Sequence, residues 1–136
     1  MKIEGGCHCG AIRYEAEVDP ETVSICHCTD CQELTGTAYR VTVFASEGSF
    51  RITEGDPTVY IKTTAESGNK RAQAFCGLCG SHLYVTGVGD GPKLYGIRVG
   101  SVNQRRELPP RRQIWHRSAL DWVDGIGSLP AVEKAG

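Results

Sequence analysis

The sequence predicts a mainly β domain of short strands with few helices. Three observations carry the prediction. Short stretches with alternating, β-branched or aromatic residues recur along the chain. Between them stand turn-forming clusters such as Glu54-Gly55-Asp56-Pro57, Ser67-Gly68-Asn69 and Gly87–Pro92. Seventeen glycines in 136 residues favour many tight turns. At this length one domain is the default, since domains typically hold roughly 100–150 residues.

Taken in order, Ala11–Ala16 reads as the first strand. Thr29-Asp30-Cys31-Gln32 then has the form of a capping box, with Thr29 as N-cap and Gln32 reaching back. That predicts one short helix, ended by Gly36. Ala38–Phe44, Thr58–Thr63, Ala72–Phe75, His82–Thr86 and Leu94–Val99 follow as strands, within a total of roughly six to nine. Residues 104–136 read as a mostly irregular arm containing Leu108-Pro109-Pro110, held to the core by Trp115, Leu120 and Trp122.

Charge is unevenly spread. Residues 1–66 hold five Lys/Arg against eleven Asp/Glu, and residues 67–136 hold ten against five. Much of the positive excess lies in Arg105, Arg106, Arg111, Arg112 and Arg117. A solvated loop accounts for that cluster, and a pocket for an anionic small molecule is the sharper alternative. Nucleic-acid binding would call for a more basic domain. No apolar run is long enough to span a bilayer, and Met1–Gly6 has no segment of signal-peptide type. The expected setting is a reducing cytoplasm, where clustered cysteines serve metals or catalysis more often than disulfides. An odd count of seven cysteines also argues against complete pairing.

Those cysteines form three groups: Cys7-His8-Cys9, Cys26-His27-Cys28-Thr29-Asp30-Cys31, and Cys76-Gly77-Leu78-Cys79-Gly80. The last has the form of a metal knuckle. Two thiolates must converge on an ion about 2.3 Å away, so the chain must turn sharply between them. Gly77 and Gly80 permit that turn. One knuckle supplies two ligands and needs a partner pair. Cys7 and Cys9, two apart on an extended segment, would point to one side. Joined, the two pairs make a closed four-thiolate site, which is structural by default. Cys26, Cys28 and Cys31 remain, with Cys31 near a helix N-terminus that favours a thiolate. Three ligands with one open position is the arrangement of a catalytic zinc. A histidine is the alternative fourth ligand. His8 and His27, each between two cysteines, should point away, and His82 and His116 read as structural or surface residues. A redox C-x-x-C at Cys28/Cys31 or Cys76/Cys79 lacks the accompanying βαβ pattern.

At these residues the chain resembles the family of glutathione-dependent formaldehyde-activating enzymes, which also contains the centromere protein V domain. The match runs through Gly6-Cys7-His8-Cys9-Gly10-Ala11-Ile12-Arg13-Tyr14, Cys26–Cys31 with Thr35-Gly36, Phe75–Gly80, and the Ile114-Trp115 and Trp122 arm. It covers about residues 2–123. Gln32 and Glu33 stand where family members often carry basic residues. The resemblance implies a β-tent fold of short antiparallel strands in one domain, residues 1–123, with residues 124–136 as a tail. It implies two zincs per chain. The structural zinc would take Cys7, Cys9, Cys76 and Cys79, and the catalytic zinc Cys26, Cys28 and Cys31. It further implies carbon–sulfur lyase chemistry on a small thiol adduct such as S-hydroxymethylglutathione, with glutathione or another small thiol as partner. No membrane or nucleic-acid partner is expected, and self-association is left open. The alternative functions are a zinc-braced binding module without catalysis and a thiol redox or zinc sensor.

Overall fold

Strand-forming residues pair into two sheets in this computed structural model, which describes residues 1–135. β1 (Lys2–Gly6) and β2 (Arg13–Glu17) form an antiparallel pair in unbroken register from Lys2↔Glu17 to Gly6↔Arg13. β3 (Ser24–Cys26) leads into α1 (Thr29–Thr35), and β4 (Arg40–Phe44) follows. β5 (Arg51–Glu54) joins β2 to complete a three-stranded sheet. β6 (Thr58–Lys62), β7 (Arg71–Phe75), β8 (His82–Gly87), β9 (Gly96–Arg98) and β10 (Arg112–Ile114) complete the chain's strands. The second sheet has seven strands in the order β10-β3-β4-β9-β8-β7-β6.

The mainly β class and the single short α-helix match the sequence reading among the described residues. One pairing departs from an all-antiparallel sheet. β10 runs parallel to β3, register Arg112↔Ser24 to Ile114↔Cys26. A parallel partner needs a long crossover, and the chain between the two strands supplies it. The arm expected to be irregular therefore contributes a strand, clamped by Arg111 N–H to Val23 O at 2.8 Å and His27 N–H to Ile114 O at 3.1 Å.

The arm's anchor is also different. Leu108 is buried, whereas Trp115 and Trp122 are 39% and 61% exposed. Leu108 joins Ile3, Tyr14, Val23, Val43, Ile97 and Val102 in the larger apolar cluster. A second, smaller cluster comprises Cys7, Ile12, Cys76 and Leu83. Burial of aliphatic side chains contributes roughly 1.5–3 kcal/mol each, so the larger cluster supplies more of the apolar stabilisation than the smaller.

β1 escaped the sequence reading because Gly5-Gly6 lowers strand propensity. The structure explains Gly5. A Cβ there would collide with the Tyr14 hydroxyl and the Ser101 carbonyl oxygen. The same close approach lets Gly5 bridge Val102 and lets the Tyr14 hydroxyl bond Ser101 Oγ at 2.6 Å. Gly5→Ala is expected to destabilise the fold by about 3 kcal/mol, the upper range for overpacking against atoms that cannot move. Thermal unfolding should show a fall in Tm of roughly 10 °C.

Candidate metal centres

Cys7 and Cys9 lie where the chain leaves β1 and doubles back toward β2. They sit in a turn, not on the extended segment that their spacing suggested. Gly10 N–H donates to Cys7 O at 3.2 Å, and Gly10 takes φ +85°. The turn brings both sulfurs to those of Cys76 and Cys79, where an extended chain would only align them. Cys76 and Cys79 occupy the β7–β8 loop. Cys76 N–H donates to Ser81 O at 2.9 Å, and Gly80 N–H to Cys76 O at 2.8 Å. Gly80 has φ +80°, which explains the need for glycine. Gly77 serves differently, since a Cβ there would sit 2.6 Å from Thr58 Oγ1.

The four sulfurs of Cys7, Cys9, Cys76 and Cys79 lie within 4.8 Å of one another. Cys7 and Cys9 sulfurs are 3.6 Å apart, and Cys9 and Cys76 sulfurs 3.7 Å. A tetrahedron with metal–sulfur bonds of about 2.3 Å has sulfurs about 3.8 Å apart. The cluster therefore fits a zinc-sized ion, and these distances are far beyond a disulfide of about 2.05 Å. Ser81 supports it: its Oγ accepts from His8 N–H at 2.9 Å and lies 3.3 Å from Cys79 Sγ. The Ser81 hydroxyl, followed by the Ser81 backbone, lowers the Cys79 thiol to about 5. Cys7 and Cys76 are buried while Cys9 and Cys79 are exposed.

The remaining cysteines meet at the start of α1. Cys26 ends β3, Cys28 is the N-cap of α1, and Cys31 lies in its first turn. Their sulfurs also lie within 4.8 Å of one another. The cap is one residue earlier than the capping-box reading. Cys28 Sγ, not the Thr29 hydroxyl, accepts from Cys31 N–H at 3.3 Å. A thiolate can cap a helix as an oxygen does, because the free N–H groups favour any acceptor with negative charge. Gln32 becomes a tether. Its Nε2 donates to His27 O at 2.8 Å and Ser118 O at 3.0 Å, tying the helix to the arm. Gly36 ends the helix with φ +68°.

Hydrogen bonding from Cys26, then from Cys28, together with the positive charge of Arg40, lowers the Cys31 thiol to about 5 against the effect of burial. Cys26 is pushed strongly upward by the same sharing with Cys31 and by burial. Of these two, Cys31 is the one that first carries negative charge. Each cluster can hold a metal ion.

The histidines belong to neither sulfur cluster. His27 is fully buried, with Nε2 2.7 Å from Gln113 Oε1. Its ring meets Tyr39 and His116 edge-on. His82 Nδ1 lies 3.1 Å from an Arg40 guanidinium nitrogen.

The arm arginines are exposed. Arg111 pairs with Glu21 and Arg117 with Glu66, both at 3.4 Å, as expected of a solvated surface. The arginines that matter near the clusters are Arg40 and Arg98, 5% and 8% exposed. Sequence reasoning passed over them. The available signal was a solitary charge inside each of two apolar strands, Arg40-Val41-Thr42-Val43-Phe44 and Gly96-Ile97-Arg98-Val99.

Several cavities border the helix. One of about 450 Å³ has Cys28, Asp30, Lys62, Glu66, Trp115 and Arg117 in its wall. Trp115 holds a left-handed backbone, φ +54°, with Arg117 stacked 4.9 Å from its ring centre. Asp30 accepts from Thr64 Oγ1 at 2.7 Å and pairs with Lys62 at 2.9 Å. The Thr64 hydrogen bond, then Lys62, holds the Asp30 carboxyl below its ordinary range. A second cavity, about 400 Å³, is mostly apolar, with Leu34, Tyr60 and Phe75 beside Arg40 and His82. A third, about 360 Å³, is lined by Tyr39, Arg40, Ser81, His82, Arg98 and Ser101.

Fold and sites together define a class: mainly β proteins with two separate cysteine clusters, each able to hold a metal ion. The chain belongs to the glutathione-dependent formaldehyde-activating enzyme family, whose model matches residues 2–118. A Halomonas elongata protein named as a candidate glutathione-dependent formaldehyde-activating enzyme is 24% identical over 128 residues, covering 91% of this chain and 81% of that protein. A crystal structure of a Rhodobacter sphaeroides protein has the same fold, with a TM-score of 0.61 at 22% identity. It covers 81% of this chain and 98% of that one. Among the described residues no helix is long and apolar enough to cross a membrane.

Proposed function

We propose that the chain is a zinc-dependent carbon–sulfur lyase-type enzyme acting on a small thiol adduct such as S-hydroxymethylglutathione. Cys7, Cys9, Cys76 and Cys79 would hold a structural zinc, and Cys26, Cys28 and Cys31 a catalytic one. The activity would reside in one domain, residues 1–123, working in the cytoplasm. One observation carries the reading. Among the described residues the three-sulfur cluster has no fourth cysteine or histidine in reach, and it opens through Cys28 on a cavity, whereas the other cluster has four sulfurs. A binding module would gain nothing from an incompletely ligated metal beside a cavity.

When bound, the metal would supply a site that keeps a substrate sulfur as thiolate. The chain's residues do the rest. Cavity walls position the adduct, and α1's free N–H groups favour the sulfur's negative charge. Asp30 stays ionised beside Lys62 and lines the same cavity, so it can accept the adduct's hydroxyl proton. Loss of that proton forms the carbonyl, and the C–S electron pair returns to sulfur. The step is redox-neutral, and its reverse makes the adduct.

The test is magnetisation-exchange NMR of formaldehyde with glutathione, since the uncatalysed equilibrium supplies both species. The chain should accelerate exchange between free thiol and adduct well above the buffer rate. Unaltered exchange with glutathione, and with cysteine and mercaptoethanol in its place, would sink the proposal.

A further inference from the structure

Among the described residues the two sheets have four edge strands, β1 and β5 in the small sheet and β10 and β6 in the large one. An edge offers unpaired N–H and C=O groups to any strand that approaches, and exposed charges on the strand are a common protection. β1 carries Lys2 and Glu4, β5 carries Arg51 and Glu54, and β10 carries Arg112 directly after Arg111. All six of these residues are exposed. β6 is different. Its five residues are Thr58, Val59, Tyr60, Ile61 and Lys62, and its one charge is withdrawn. The Lys62 side chain is 14% exposed and pairs with Asp30 at 2.9 Å. Val59, Tyr60 and Ile61 are left 47%, 53% and 41% exposed.

The face that β6 extends is the face of the core. The register sets Val59 beside Ala74 of β7 and Ala74 beside Tyr84 of β8, so these three share one side of the sheet. Ala74 is buried, and Tyr84 packs against the cluster of Cys7, Ile12, Cys76 and Leu83. Ile61 stands two positions further on, beside Ala72. The apolar interior therefore runs outward along Tyr84, Ala74 and Val59 and ends uncovered at the edge. Tyr60 points to the opposite side, where it lines the cavity with Leu34 and Phe75.

We propose that β6 is a self-association surface, pairing antiparallel with β6 of a second copy of this chain about a two-fold axis at Tyr60. In that register Val59 of each copy lies opposite Ile61 of the other. Two β-branched side chains that each copy leaves exposed then cover one another as a cross-strand pair. A strand with an unneutralised charge would repel its own copy, and the Asp30 partner of Lys62 removes that repulsion. The two-fold axis makes both strands equivalent and closes the assembly at two copies. Five residues a side bury less than the roughly 1,200 Å² of a standard complex, so the dimer is weak, with a dissociation constant on the order of 10 µM. Nothing in this depends on the role of either cysteine cluster.

The experiment is sedimentation equilibrium on the full chain, purified with its metal, from about 1 to about 300 µM. The native chain should pass from monomer to dimer over that range. Val59→Asp and Ile61→Lys should each weaken the dimer at least about tenfold, since each sets a charge against an apolar side chain of the other copy. Both positions are exposed in the single chain, so the Tm should stay within about 5 °C of the native value. An equimolar mixture of the two variants should recover the dimer. The register places the introduced carboxylate opposite the introduced ammonium, while the remaining Val59 and Ile61 face each other. A native chain that stays monomeric at every concentration overturns the proposal. So does a dimer that both variants leave intact and Trp122→Ser dissociates, which would place the interface on the exposed C-terminal segment. Weakened variants whose mixture stays monomeric overturn the two-fold pairing. Amide hydrogen exchange of residues 58–62 needs no variant and decides the matter if one fails to fold. Its rate should fall several-fold from dilute to concentrated native protein, and a rate indifferent to concentration overturns the proposal.

Discussion

Cys76→Ser is expected to lower the Tm by 15 °C or more, roughly, or to leave the chain unfolded, and to reduce zinc from two per chain to one. The magnitude follows from what the four-sulfur cluster holds. It ties the β1–β2 loop to the β7–β8 loop, elements nearly seventy positions apart in the chain. Apolar contacts there are few. Ile12 and Leu83 are the only fully apolar members of the buried cluster around Cys7 and Cys76, with Ile52 and Tyr84 packed at its side. That small core could not replace the cross-link that a metal would make there. Structural zinc sites contribute about 10–16 kcal/mol in peptides that fold around them, against a total stability of about 5–15 kcal/mol for ordinary domains. A loss of even 5 kcal/mol, taken at roughly 3–4 °C per kcal/mol for this size, gives the stated shift. Serine is nearly isosteric with cysteine, so lost packing cannot account for a fall this large. Differential scanning calorimetry with elemental analysis checks it. A native-like Tm with one zinc lost would show that the cluster is not structural.

Much of this arrangement was legible in the sequence, and the failures share a physical cause. The β7–β8 knuckle could be read because its requirement is local: two sulfurs, a sharp turn, and Gly80 to make it. β2, β4, β6, β7, β8 and β9 could be read because alternation and β-branching mark them directly. β1, β3, β5 and β10 could not. β3 and β10 are three residues each and exist because they pair across most of the chain's length. Their stability lies in the partner. The helix start was displaced by one residue because capping rules are written for oxygen, and Cys28 supplies sulfur instead. Grouping the cysteines in space required only spacing. Arg40 and Arg98 were invisible for a different reason. Charge was weighed by clustering, which drew attention to the solvated arm, whereas burial turns a solitary arginine into the stronger local field. The tryptophans failed in the opposite sense. An apolar side chain in an arm reads as an anchor, but Leu108 fills the core and Trp115 lies at a cavity wall beside Cys28.

Cys31→Ala should behave oppositely to Cys76→Ser in every measurement but one. Zinc should again fall from two per chain to one, yet the fold should remain, with Tm within about 5 °C of the native value. The reason is the location of α1. It is seven residues long, contains no buried residue, and contributes nothing to either apolar cluster. Its C-terminal end keeps the bond from the Thr35 hydroxyl to Cys31 O, at 2.6 Å, because that bond uses the backbone. Its tether through Gln32 to His27 O and Ser118 O is likewise untouched. Activity, in contrast, should collapse by about a thousandfold, corresponding to about 4 kcal/mol of lost transition-state stabilisation from the metal. Stability and activity thus separate by cluster. The four-sulfur site should control Tm, and the three-sulfur site should control exchange between free thiol and adduct. A Cys31→Ala chain that unfolds with its zinc would make the three-sulfur cluster a second brace. One that folds, loses its zinc and keeps native exchange rates would place the chemistry elsewhere in the chain.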